Sequence, residues 1–228
     1  MAIVKGLNPY DLSQLLAGPC RALWALPSET SIPTSLLDIF AVEKVDEYVP
    51  AEGWTDFGAL VEGAAYNRSI ETSGYEIENT TGNVAESVTD VVRGVSLNRG
   101  ELNADTLQDF EQAAAIEEVP AAAGRRPERH VKFGSIESLG RRRIAFVARR
   151  PVGVGADVIE QNGHVRGAIV CGVLYTCGLS GDSSAIQMAK GSLSSAPMTL
   201  KAFPEGGEAQ GEETGLWIEE TPGEIGGS

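Results

Sequence analysis

Apolar and acidic residues alternate in Tyr75-Glu76-Ile77-Glu78, the period of a strand with one exposed face. Thr81-Gly82-Asn83 marks a turn. Ser87 to Leu97, rich in Val and Thr, then reads as the returning strand of a long hairpin. Farther along, Arg141 to Arg149 sets Ile144, Phe146 and Ala148 on one face of a strand. Val165 to Tyr175 is nearly continuously apolar, as expected of a strand covered on both sides. Met198 to Phe203 alternates again. Arg21 to Leu26, Leu36 to Val42 and Val131 to Glu137 complete the strand predictions, and Gly53 to Gly58 follows a turn and opens the β-rich block. One helix is expected, Asp105 to Ala115. Asp105 and Gln108 have capping-box spacing, and Leu107, Phe110 and Ala114 share a face.

The pattern describes a mainly β domain over residues 21–203, with one flanking α-helix. The Pro/Gly/Arg-rich stretch 117–130 is expected to be a loop or linker. Residues 1–20, punctuated by Asn8-Pro9 and Gly18-Pro19, read as an extended N-terminal arm. Residues 204–228, Gly-rich with acidic residues and no basic one, read as an acidic C-terminal tail. The chain has 228 residues, enough for one elaborate domain, and shows no repeat of solenoid period.

Composition narrows the function classes. The formal net charge is −14, which disfavours a protein that reads nucleic-acid sequence but suits a surface past which DNA slides. Cys20, Cys171 and Cys177 lack zinc-site spacing. On one extended strand, Cys171 and Cys177 would stand roughly 20 Å apart, beyond disulfide reach, so they read as buried apolar residues of a reducing compartment. The first residues lack a signal-peptide pattern. The longest uncharged apolar run, Gly167 to Leu179, falls short of the roughly 20 residues of a membrane helix.

No constellation of catalytic residues stands out. His130 and His164 lie in polar surroundings and read as solvated loop residues. Gly153-Val154-Gly155 lacks the third glycine of a dinucleotide loop, and Ala189-Lys190-Gly191-Ser192 lacks the leading glycine of a phosphate loop. The sequence therefore predicts a non-enzyme without metal or cofactor. The most informative anomaly is charge segregation. Half of the 18 basic residues fall between Arg125 and Arg150, while acidic residues dominate the first 120 positions and the last 24. A subunit that meets copies of itself basic-to-acidic has that distribution, and such head-to-tail contacts close rings or extend filaments.

Gly53-Trp-Thr-Asp-Phe-Gly58, Tyr75-Glu-Ile-Glu78, Thr81-Gly82 and Ser96-Leu-Asn-Arg-Gly-Glu-Leu102 leading into Thr106-Leu107 resemble, in that order, the major tail tube proteins of long non-contractile-tailed phages. Val131-Lys-Phe-Gly-Ser-Ile136, Arg143 to Arg149, Ala189 to Leu193 and Met198 to Pro204 resemble the versions in phages of actinobacteria. The resemblance covers roughly residues 20 to 220. It implies a β-sandwich- or barrel-like tail tube fold with one flanking α-helix, in a virion protein assembled in the host cytoplasm, with six copies per ring and about four strands from each in a continuous barrel. About 24 strands at ~4.8 Å spacing and ~40° tilt make a barrel roughly 45–50 Å across, wide enough to pass a DNA duplex.

The implied partners are copies of the chain itself, a tape-measure protein, a tail terminator and tail tip proteins. Double-stranded DNA would transit without specific binding, and no membrane is involved. On this reading Glu76, Glu78 and Asp90 of the hairpin face the lumen, and Arg141, Arg142 and Arg143 meet acidic residues of an adjacent subunit. The rival readings are another ring-forming virion component, such as a tail terminator or capsid decoration protein, and a secretion-system tube protein.

Overall fold

A computed structural model describes residues 20–41, 49–76, 83–111, 116–133, 140–149, 158–161, 164–180, 186, 195–209 and 211–220. The chain is mainly β, with one short helix, and its principal sheet is antiparallel and curled into a half-barrel. The strands are β1 (Arg21–Ala25), β2 (Trp54–Asp56), β3 (Leu60–Glu76), β4 (Asn83–Arg99), β5 (Ile116–Val119), β6 (Glu128–Val131), β7 (Arg142–Arg149), β8 (Val158–Gln161), β9 (His164–Gly167), β10 (Ile169–Leu179), β11 (Ala196–Phe203) and β12 (Gly215–Glu219). Helix α1 spans Ala104–Glu111. The main sheet runs β2-β1-β7-β10-β11-β4-β3, while β5-β6 and β8-β9 form separate hairpins.

Strand β10 organises the sheet. One edge pairs with β7. The other is shared end to end, with β12 opposite Val170–Leu174 and β11 opposite Thr176–Leu179. The sheet therefore forks at β10 into one leaf holding β1, β7 and β12 and another holding β11, β4 and β3. The two leaves roll together. Tyr66 of β3 stacks on Phe146 of β7 with ring centroids 5.9 Å apart, although β10, β11 and β4 lie between those strands. Laid flat, four strand spacings would hold them roughly 19 Å apart.

The concave side holds an inner core of Ile144, Phe146, Leu174, Met198, Leu200 and Val95, with their buried neighbours. The convex side of β1, β7 and β10 holds a second core around Leu23, Val147, Ile169 and Val173, capped by Leu36, Ile39, Phe40 and Trp54. Two-sided burial explains why the β7 and β10 sequences are almost continuously apolar. Gly172 lies between Phe146 and Trp217 in register, and a β-carbon there would overlap the Phe146 ring. The register of β10 shifts between Leu174 and Cys177, the two-against-one pairing of a bulge. Cys171 consequently belongs to the outer core and Cys177 to the inner one, and burial pushes both thiols up to about 12.

Several expectations are corrected. The strand expected over Leu36 to Val42 is absent from its described part: Leu36–Asp38 is a 3-10 turn, Phe40 makes an isolated bridge with Pro50, and Val42 lies outside the described residues. The Asp38 carboxylate accepts from the Thr34 and Ser35 N–H groups, which locks the turn and holds the acid below its ordinary pKa. Stretch 117–130 is no featureless loop, because β5 and β6 pair within it. The helix begins one residue earlier than expected, and its cap is Asn103, whose Oδ1 accepts from the Thr106 N–H at 2.8 Å. Asp105 instead takes two bonds from Arg129 of β6, which lower its pKa and tie helix to hairpin. Val165 to Tyr175 is split between β9 and β10. Val131 ends β6, and most of the strand expected after it lies outside the described residues. The C-terminal stretch read as a tail contributes β12 to the main sheet. The N-terminal arm before residue 20 and the Gly153 and Ala189 motifs also lie outside the described residues. No helix among the described residues is long and apolar enough to cross a membrane.

Candidate assembly surface

Strands β3 and β4 have 17 residues each and outrun the rest of the sheet. The register of β11 on β4 ends at Lys201 opposite Gly94, where a β-carbon would strike the Leu200 backbone. Among the described residues, β4 from Arg93 outward pairs only with β3, and β3 is the end strand of the sheet order. The result is a two-stranded arm. Isolated hairpins are at best marginally stable in water, so such an arm gains from a partner.

The pairing sorts the arm's side chains onto two faces. One face continues the inner core. Leu97 and Val95 are buried, and Tyr66, Arg68 and Ile70 stand opposite Val95, Arg93 and Val91. Past the register shift at Glu71/Thr72, Thr72 pairs with Val88 on the same side. Tyr66 and Ile70 are each 44% exposed and Val88 is 62% exposed, so the apolar stripe outlasts the core that covers its base.

The other face is small and polar. Asn67 donates to Ser96 Oγ at 2.7 Å, the Ser96 and Thr199 hydroxyls are 3.4 Å apart, Ser69 lies opposite Val92, and Glu71 lies opposite Asp90. Lys201 of β11 is the basic residue at the base of this face. Two carboxylates directly opposite each other are unfavourable for the isolated pair and leave the face acidic.

The residues proposed from sequence separate in this frame. Asp90 is exposed on the polar face. Glu76 closes β3 opposite Asn83, and Glu78 lies outside the described residues. Sequence reading missed Glu71, whose pairing with Asp90 follows from a strand that starts at Leu60 rather than Tyr75. The alternation is interrupted by a register shift between Leu60 and Ala64, where Gly63 has φ +80°. The Arg141–Arg143 run is divided, because Arg141 precedes β7 while Arg142 and Arg143 belong to it. Arg142 is largely buried, paired with Asp109 of α1 at 2.7 Å and lying over Trp24, and Asp109 also binds Arg99 at 2.8 Å. Arg143 is 2% exposed, and two of its guanidinium nitrogens have no hydrogen-bond partner among the described residues. Burial lowers its pKa. Only Arg141 stays at the surface, with its guanidinium 3.6 Å from the Phe203 ring centroid.

Between the arm's base and β12 lies a cleft of about 270 Å³, lined in part by Tyr66, Arg93, Phe146 and Trp217. Arg93 donates to Thr214 Oγ1 there at 3.0 Å. Trp217 is 53% exposed. Among the described residues no group of His, Cys, Asp and Glu is placed to hold a metal ion. His130 is exposed and sits 3.0 Å from Glu128. No protein-family model matches the chain, and no curated protein matches it significantly.

Proposed function

We propose that the chain is a structural virion subunit that closes into rings and stacks into the tube of a phage tail, a conduit for DNA with no catalytic site. The observation that supports this reading best is the arm. It extends an unpaired edge strand well past its own core, with one small polar face and one apolar face. Exposed edges invite pairing with another chain, and ring closure would turn that liability into the assembly contact. The leaf of β11, β4 and β3 would then line the lumen with its polar face. Short hydroxyl and amide side chains there give DNA little to grip, and Glu71 and Asp90 repel phosphate over about a Debye length. The overall acidity of the chain works in the same direction. The tape-measure, terminator and tip proteins remain the expected partners, and the tube would form in the host cytoplasm before entering the virion.

Negative-stain electron microscopy of the purified, concentrated protein at low and high salt tests this reading. Stacked rings or tubes with a stain-filled channel are the expected result. Single rings that never stack would move the assignment to a terminator or decoration protein.

A further inference from the structure

Resting on that reading, we propose that the apolar face of the arm, centred on Arg68, Ile70, Val88 and Arg93, is the seat for a second copy of this chain, held by carboxylates that the second copy supplies. Two independent features of this face point to that occupant.

The first is the apolar stripe. Tyr66 at its base is covered by Phe146, but Ile70 and Val88 continue the same row with no such cover. A row of apolar side chains running out of a core into solvent is a contact surface awaiting its other half.

The second is charge. Arg68 and Arg93 face each other directly across the two strands. Like charges in that position repel, and in a chain with 18 basic against 32 acidic residues the juxtaposition is conspicuous. Arg93 binds the Thr214 hydroxyl and has the Glu213 carboxylate nearby, whereas Arg68 is exposed with no ion-pair partner among the described residues. Two facing guanidinium groups thus share a single carboxylate among the described residues, and a carboxylate-rich surface would supply the counter-anion for Arg68. This chain is such a surface. Its loop after β11 carries Glu208 and Glu212, both exposed. Charge complementarity thus selects a second copy over a basic or neutral partner. The contact is heterologous, arginine face to acidic surface, and therefore propagates instead of closing a dimer.

This placement moves the basic half of the subunit contact from Arg141–Arg143, of which Arg143 is buried and Arg142 is engaged by Asp109, to the arm. The opposite face of the arm is left free to line a channel.

The test compares full-length wild type with Arg68→Glu, with Ile70→Asp combined with Val88→Asp, and with the opposite-face control Ser69→Asp. Self-association is read by sedimentation at low and high salt, assembly by electron microscopy, and folding by circular dichroism and cooperative unfolding. All substituted positions on the apolar face are exposed, so the variants are expected to fold. The expected result is that the apolar-face variants need at least about tenfold more protein to associate. Ser69→Asp should associate like wild type, and salt should weaken wild-type association. If wild type forms tubes and the apolar-face variants form them equally well, the inference fails and the tube reading stands. Discrete small oligomers abolished by Arg68→Glu, without rings or tubes, would uphold the docking face and sink the tube. A wild type that stays monomeric at every concentration would overturn a second copy as the occupant.

Discussion

The pair β7–β10 and the pair β3–β4 are both antiparallel, yet they solve opposite problems. In β7–β10 both faces are buried. Phe146 lies across Gly172, and each strand has neighbours on both edges. In the outer part of β3–β4 both faces meet solvent, and each strand has one neighbour. The first pair is stabilised by packing within the chain. The second has no such cover among the described residues. On the proposed reading, the half-barrel carries folding and the arm carries assembly.

Four measurements would break or sharpen that contrast. The largest effect is expected at Phe146, which touches Tyr66 and Trp217 and fills the space above Gly172. Phe146→Ala should destabilise the fold by about 3–5 kcal/mol in urea denaturation, because the sheet cannot collapse onto the vacated ring. A loss near zero would mean that the inner core does not hold the two leaves together.

Next comes the helix tether. Asp109 is the shared counter-ion of Arg99 and Arg142, with side chains 7–16% exposed across the three residues. Asp109→Ala leaves two nearly buried guanidinium groups facing each other and should cost about 2–4 kcal/mol by the same measurement. An unchanged midpoint would show that α1 is not fastened through this carboxylate.

The smallest effect is expected on the arm. Ile70→Ser should change monomer stability by no more than about 0.5 kcal/mol, since the side chain is already largely in water. In the same monomer, amides of residues 65–72 and 87–92 should exchange hydrogen much faster than those of β7 and β10, measured by mass spectrometry. Equal protection in the two pairs would mean that the arm is packed within the chain and needs no partner.

Legibility from sequence follows the same division. The strand at 142–149 and its inward Ile144 and Phe146 were readable because alternation and burial coincide there. The double coverage of β10 was readable because a run without polar residues has no solvent face to offer. On the arm, alternation between Ala64 and Glu71 places apolar residues on one side, but the register shift before Ala64 hid where the strand begins. The Arg141–Arg143 run shows a further limit. Arg141 precedes β7 and stays exposed, while Arg142 and Arg143 lie within the strand and turn inward, a difference in burial that a run of like charge does not record.

The sequence by itself determined that the chain is mostly β, which strands have a buried face, that the molecule is strongly acidic, and that Cys171 and Cys177 are packing residues. Those properties are local: residue type and spacing set how much of each strand avoids water. Only the tertiary structure decided that Leu36–Asp38 is a 3-10 turn over the outer core, that β5 and β6 pair beside α1, and that the C-terminal β12 shares an edge of β10 with β11. It also decided which arginines are buried and that Arg68 meets Arg93. The physical reason is that partner, register and curl are fixed by contacts between residues far apart in the chain, and a strand's own pattern records that it is covered without recording by what.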